Sequence, residues 1–236
     1  MEAIILAGGK AERLGKAAGG APKALVPIAG HPLAEYQVSQ LVRAGVERVI
    51  VSCAREQGSV FRHKLSGLGA EIVAVEEAEP LGRGGGLRYA AAARAEAGPL
   101  YALNGDELLD VDLVLMLERH RERGVAATIA VAPMTSALGV VDVDDDDRVA
   151  GFREAPRLPY WVNIGCYVLD DEAIERLPER GDHEQTTFPE LAAEGKLLAH
   201  RHDGLWLTVN TPKQLREAEE YFESHPELRP SRARRA

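Results

Sequence analysis

The chain has 236 residues, 45% of them apolar and 28% charged, with a formal net charge of −9. That is ordinary globular composition, which excludes collagenous, low-complexity and wholly disordered chains. The acidic balance excludes a broad electropositive face for duplex nucleic acid, so any anionic ligand must be met by local charge.

Cys53 and Cys166 lie far apart and form no CxxC pair, which argues against a zinc ribbon or a disulfide framework and fits a reducing compartment. The opening run Met1 to Ala7 meets Gly8 and Gly9 at once. It is too short and too uncharged at its front for a signal peptide. No stretch approaches the roughly 18 consecutive apolar residues of a membrane span. The expectation is a soluble, cytoplasmic protein with neither membrane nor nucleic acid as a partner.

Short β-branched or aliphatic runs alternate with amphipathic stretches through the first half, the pattern of βαβ units around a mostly parallel sheet. Ala3 to Ala7 reads as a buried first strand. Pro32 to Gly45 reads as a helix with Ala34, Val38, Leu41 and Val42 as its apolar stripe and Gly45 as its stop. A strand at Arg48 to Cys53, a helix at Gln57 to Leu65 and a strand at Glu71 to Val75 follow. Then come a glycine-rich turn, a helix from Gly86 to Ala97 and a strand at Leu100 to Leu103.

After Asp106 hairpins replace crossovers. A helix at Val111 to Arg123 precedes strands at Ala126 to Ala132, Val140 to Val143, Val149 to Arg153 and Val162 to Leu169. The run Asp144 to Asp147 lacks the glycine and distal glutamate of an EF-hand loop and reads as a solvated turn. The seven histidines show no metal-ligand spacing, His200 and His202 merely alternating on a strand, and read as surface residues. From Thr211 a closing helix carries Leu215, Ala218 and Phe222 on one face, and a basic tail past His225 reads as frayed. The fold class expected is α/β: one domain, a three-layer α/β/α sandwich on a mostly parallel, Rossmann-like sheet, with a β-rich insertion.

The first strand empties into Leu6, Ala7, Gly8, Gly9, Lys10, Ala11, Glu12 and Arg13, and the chain then reaches Pro22 and Lys23. Paired glycines let backbone N–H groups approach an anion, and Arg13 and Lys23 supply the charge a triphosphate needs. A Walker loop is excluded, because Lys10 and Ala17 stand where Gly and Ser or Thr are required. In Gly82, Arg83, Gly84, Gly85, Gly86 a dinucleotide fingerprint fails at Leu87, and the segment follows a polar loop rather than a strand. These glycines instead suit a backbone lying against a planar base. Asp106 ends a strand at the carboxyl edge of the sheet, where open α/β folds bind ligands. A lone aspartate beside a phosphate loop suits Mg²⁺, which keeps several waters; a strand-end Asx turn is the alternative. No GxSxG elbow or Cys–His pair supports covalent catalysis.

These motifs, in order along nearly the whole chain, resemble the sugar-1-phosphate nucleotidylyltransferases. Leu6 to Leu14 with Pro22 and Lys23 looks like the family's signature loop, Glu79 to Gly85 like its base-binding turn, and Asn104 to Asp106 like its metal-binding motif. Gly139 to Val141, Phe152 to Pro156, Asn163 to Gly165 and Trp206 to Pro212 complete the order. The layout is most similar to the compact heptose- or hexose-1-phosphate members.

The resemblance implies that Leu6, Ala7, Gly8, Gly9, Glu79, Gly84 and Gly85 surround the nucleotide, and that Arg13 and Lys23 act catalytically on the triphosphate. It implies that Asn104, Gly139, Glu154 and Asn163 hold the acceptor and that Asp106, with Asn210, ligates Mg²⁺. Residues of roughly the first 110 would form the nucleotide part and 111–210 the acceptor part. The expected substrates are an NTP and a sugar-1-phosphate, condensed to an NDP-sugar and pyrophosphate.

The sequence departs from the family pattern at Ala11 and Glu12 in the first loop. It departs again at Ala155, where a lysine is usual and Arg157 stands near, and at Thr208 in place of a second metal aspartate. Valine, asparagine, threonine and proline at 209–212 also resemble MobA-like guanylyltransferases acting on a phosphorylated cofactor precursor. That activity and a non-catalytic nucleotide or NDP-sugar sensor are the alternatives.

Overall fold

A computed structural model describes residues 1–9, 11, 13–15 and 19–230. In chain order the elements are β1 (Glu2–Leu6), β2 (Pro27–Ile28), β3 (His31–Pro32), α1 (Leu33–Arg43), β4 (Arg48–Ala54), α2 (Gly58–Leu65), β5 (Glu71–Glu77), α3 (Gly82–Ala91), β6 (Leu100–Asn104) and β7 (Glu107–Leu109). They continue with α4 (Leu113–Arg123), β8 (Ala127–Thr135), β9 (Val140–Val143), β10 (Val149–Arg153), β11 (Arg157–Leu169), α5 (Asp171–Glu175), α6 (Thr187–Ala193), β12 (Leu197–Arg201), β13 (Trp206–Thr208) and α7 (Pro212–Ser224).

Seven strands form the central sheet in the order β12-β8-β11-β6-β1-β4-β5. β1 pairs in parallel with both β4 and β6, while β11 runs antiparallel to β6 and β8. The chain therefore winds outward from β1 to β4 and β5, then returns to lay β6 on the other side of β1. That reversal opens a crevice at the carboxyl ends of β1 and β6.

The continuous apolar runs of β1, β4 and β6 follow from burial on both faces. Ala3 and Ile5 pack with Ala34, Val38 and Leu41 of α1 and Phe61 of α2, whereas Ile4 packs with Leu87 of α3, Ala173 of α5 and Leu191 of α6. A third cluster joins Leu14, Val26, Ile28 and Tyr36 to Leu215 and Phe222 of α7. The three-layer α/β arrangement is as expected.

Several local readings are corrected. The segment read as a glycine-rich turn is the first turn of α3, which starts at Gly82 rather than Gly86. Its first N–H groups find a cap in another loop, because Gly84 and Gly85 both donate to the Gly181 carbonyl. His120, His183, His200 and His202 are buried rather than on the surface. His183 is fully enclosed between Tyr167 and Phe188, with ring centroids 5.2 and 4.7 Å away. The stretch after His225 begins with a 3₁₀ turn at Pro226–Leu228, and Arg229 Nε donates to Phe222 O at 2.7 Å; residues 231–236 lie outside the described residues. The reading of Asp144 to Asp147 as a solvated turn needs no correction: the run is an exposed turn, where Asp144 Oδ1 accepts from the Asp146 and Arg148 N–H groups.

Candidate active site

A cleft of about 850 Å³ opens at the crevice between β1 and β6. The two strands approach unusually closely there. Gly105 N donates to Leu6 O at 2.9 Å, and a Cβ at position 105 would lie 2.3 Å from that oxygen. The missing side chain lets Ala7, Gly8 and Gly9 emerge beside Asn104 and Asp106.

Local sequence chemistry fixes each polar group. Lys23 opens a single 3₁₀ turn after Pro22, anchored by buried Ala24 and Leu25. Arg13 precedes Leu14, which is buried in the third apolar cluster. Asn210 precedes Thr211, the N-cap of α7, whose side chain accepts from Gln214 N while Gln214 Oε1 reaches back to Asn210 N at 3.0 Å. This is a capping-box arrangement displaced by one residue.

These side chains converge. Lys23 Nζ lies 2.5 Å from Asp106 Oδ2 and also donates to Asn210 Oδ1. Arg13 donates to the same Asn210 oxygen at 2.9 Å. Thr208 Oγ1 accepts from Asn210 Nδ2 at 2.7 Å, which aims the amide oxygen at the two cations. Beside them Glu107 is held by Trp206 Nε1 at 2.8 Å. Burial, reinforced by the Asp106 charge, pushes its carboxyl up to about 7.

Ten of the fifteen residues singled out from sequence line this cleft: Leu6, Ala7, Gly8, Gly9, Arg13, Lys23, Glu79, Asn104, Asp106 and Asn210. Five do not. Gly84 and Gly85 face the loop after α5, where added Cβ atoms would meet His183 N and Glu179 O at 2.7 and 2.6 Å. They serve helix-to-loop packing, and their N–H groups are already spent on Gly181. Gly139 and Glu154 meet each other at the β9–β10 hairpin, where a Cβ at 139 would lie 3.0 Å from Glu154 Oε2. Asn163 stands on β11, bonded to Tyr167 and Glu184. Arg157 pairs with Asp203 at 3.0 Å and lies over the Trp161 ring, away from the cleft lining. Glu12 lies outside the described residues.

Sequence reasoning missed Glu77, Glu107 and Asp182 and gave no role to Arg83 within the turn it read as base-binding; all four line the same cleft. Glu77 accepts from Ser52 Oγ at 2.7 Å and from Leu81 N at 3.0 Å, tying β5 to the turn before α3. Glu79, two residues on, is exposed and paired with Arg180 at 2.8 Å.

Divalent-metal fit is tested by what Lys23 does. The oxygens of Asp106 and Asn210 already hold one cation, the lysine ammonium, between them. A carboxylate and an amide oxygen also match the few, hard, oxygen ligands of Mg²⁺. The described residues contain no cluster of three or more His, Cys, Asp or Glu able to hold a metal. Nor is any described helix long and apolar enough to cross a membrane.

Comparison with known proteins identifies the family. The Nucleotidyl transferase family model matches residues 2–225. Mannose-1-phosphate guanylyltransferase of Mycobacterium tuberculosis is 33% identical over 224 residues, covering 90% of this chain and 62% of that protein. The mannose-1-phosphate guanylyltransferase catalytic subunit beta of Danio rerio is 32% identical over 223 residues, covering 90% and 62%. The chain thus spans about three-fifths of the length of these curated relatives. Among solved structures, HddC from Yersinia pseudotuberculosis superposes with a TM-score of 0.74 at 25% identity, covering 94% of this chain and 99% of that one. A glucose-1-phosphate thymidylyltransferase-like structure from Bacillus anthracis shares the fold with a TM-score of 0.75 at 18% identity, covering 94% of each chain. By the extent of the family match, the chain belongs to the nucleotidyl transferase family.

Proposed function

We propose that this chain transfers a nucleotidyl group from an NTP to a sugar-1-phosphate, giving an NDP-sugar and pyrophosphate in the cytosol. The observation that carries the reading is the meeting of Lys23, Arg13, Asp106 and Asn210 at the rim between β1 and β6. The activity named for the relatives favours a guanine nucleotide and a mannose-type acceptor. The buried free thiols of Cys53 and Cys166 fit a reducing compartment.

The chemistry asks little of acid–base groups. The acceptor phosphomonoester has a second pKa near 6, so its oxygen is already largely ionised at neutral pH. That oxygen attacks the α-phosphorus in line, the α–β bridging bond breaks, and pyrophosphate carries away the electron pair. Alignment and charge neutralisation then dominate the rate. Lys23, a point charge on a flexible stem, neutralises the α-phosphate, and Arg13 draws the leaving pyrophosphate through its planar fork. Ala7, Gly8 and Gly9 let the polyphosphate approach the backbone.

Asp106 and Asn210 would hold Mg²⁺, which when bound offsets phosphate charge. The cleft lining needs such an offset: against Arg13, Lys23, Arg55 and Arg83 stand Glu77, Glu79, Asp106, Glu107 and Asp182. Among the described residues the bare cleft therefore shows no cationic excess to recruit a free triphosphate.

The test is pyrophosphate release from each NTP against hexose- and heptose-1-phosphates, with a pterin phosphate and cobinamide phosphate as comparison acceptors. Turnover with a sugar-1-phosphate is expected. Turnover only with a cofactor precursor would replace the reading with a MobA-like one. NTP binding with no turnover on any acceptor would replace it with a sensor.

A further inference from the structure

Glu184 lies on the loop between α5 and α6, a segment the sequence patterns did not single out. Its side chain is 23% exposed, and both oxygens are engaged. Oε2 lies 2.6 Å from the Arg83 guanidinium. Oε1 accepts from Asn163 Nδ2 at 3.0 Å and from Tyr167 Oη at 3.3 Å. One carboxylate therefore joins Arg83, in the cleft wall on the first turn of α3, to Asn163, on strand β11. The same loop caps α3 through the Gly181 carbonyl, and Asp182 accepts from Arg83 N at 3.0 Å.

Two details give this junction a function. First, Asn163 has little left to offer a ligand directly. Its Nδ2 protons go to Tyr167 and Glu184, and its Oδ1 accepts from Gly165 N, leaving one lone pair. Second, Arg83 faces two carboxylates, Glu184 at 2.6 Å and Asp182 at 3.5 Å, so its charge is already answered. It is suited to donate N–H bonds to neutral hydroxyl groups rather than to recruit a polyphosphate.

The geometry points to Glu184 as a positioning residue for the transfer reaction: anchored by Asn163 and Tyr167 on β11, it fixes the Arg83 guanidinium in the cleft wall so that Arg83 can orient the hydroxyl groups of a phosphorylated sugar. The inference rests on the nucleotidyl-transfer reading. Glu184→Gln is the sharp probe, because all three groups facing this carboxylate are donors. A glutamine must turn its own NH₂ toward one of them, so one side of the junction is lost while side-chain volume is kept.

The experiment measures kcat and KM of wild type, Glu184→Gln, Arg83→Gln and the double variant. It uses GTP with mannose-1-phosphate, or whichever NTP and sugar-1-phosphate pair gives the highest turnover. Calorimetry of that NTP with Mg²⁺ runs alongside. The expected result for Glu184→Gln is an acceptor KM raised roughly tenfold, the loss of one charge-assisted bond, with NTP affinity within about twofold. The double variant should be no worse than the poorer single one, because both break one junction. An unchanged acceptor KM, additive effects, or equal losses toward both substrates with a lowered melting temperature would overturn the assignment. Turnover by wild type with an unmoved Glu184→Gln variant would remove the positioning role alone. Absence of turnover by wild type on every sugar-1-phosphate would remove the transfer reading, and this role with it.

Discussion

Replacing Gly105 by alanine perturbs the floor of the cleft at a defined point. The added Cβ would sit 2.3 Å from Leu6 O and 3.1 Å from Leu6 C, both backbone atoms, where ordinary contact is 3.4 Å or more. β1 and β6 would have to part by about 1 Å, which breaks the 2.9 Å bond from Gly105 N to Leu6 O. That bond contributes about 1 kcal/mol, and forced overpacking costs about 1–3 kcal/mol more. The expected loss is therefore about 2–4 kcal/mol, or about 5–15 °C in Tm for a domain of this size. Gly105 has no left-handed φ, so contact rather than backbone strain is responsible. Gly9→Ala is the control, since a Cβ there meets nothing within 4 Å and should change stability by no more than about 0.5 kcal/mol. Urea denaturation with calorimetric GTP titration measures both variants. A Gly105→Ala protein that melts with wild type, or that loses no more stability than Gly9→Ala, would refute the close approach of the two strands.

Three further outcomes are expected. Lys23→Ala should lower the rate of pyrophosphate release by about 10²- to 10³-fold, as for other charge-stabilising groups; a near-wild-type rate would show that Lys23 does not act on the phosphates. Glu107 has a carboxyl raised to about 7, so the folded protein binds more protons there than the unfolded chain. Its contribution to stability falls as pH rises from about 4.5 to 7, and Glu107→Gln should flatten that slope by an amount on the order of 1–3 kcal/mol. Urea midpoints across that range decide it, and an unaltered slope would contradict the assignment. His183 has the opposite sign: burial lowers its pKa to about 4, so stability is lost as pH falls from 6.5 toward 4. His183→Phe should remove up to about 3 kcal/mol of that acid sensitivity, and a variant as acid-labile as wild type would contradict it. The two slopes oppose each other between pH 4.5 and 6.5, so only the separate variants expose them.

What was legible in the sequence and what was not divide on physical grounds. β1, α1, β4, α2 and β6 could be read within a residue or two, because their burial writes a local period into the chain. β7 and β13 could not. Each is three residues long, and they pair across nearly a hundred positions, Glu107 with Thr208 and Leu109 with Trp206. α3 was misplaced because Gly82, Gly84, Gly85 and Gly86 are poor helix formers; packing of the loop after α5 against them overrides that propensity. The cationic pair and Asp106 were legible because strand ends and glycine loops mark the ligand edge of the sheet. Glu184 carried no such mark. Its partners Arg83 and Asn163 lie 101 and 21 positions away and are gathered only by the fold. Glu77 was passed over for Glu79 because alternation along a strand edge does not say which carboxylate turns inward to Ser52.

The convergence of charge at one rim of the sheet is tested most directly by a crystal structure with a nonhydrolysable GTP analogue and Mn²⁺, the ion located by anomalous scattering. The account predicts one anomalous peak within coordination distance of Asp106 and Asn210, with the polyphosphate contacted by Lys23 and Arg13. A nucleotide seated elsewhere, or an ion bound without contact to Asp106, would contradict it.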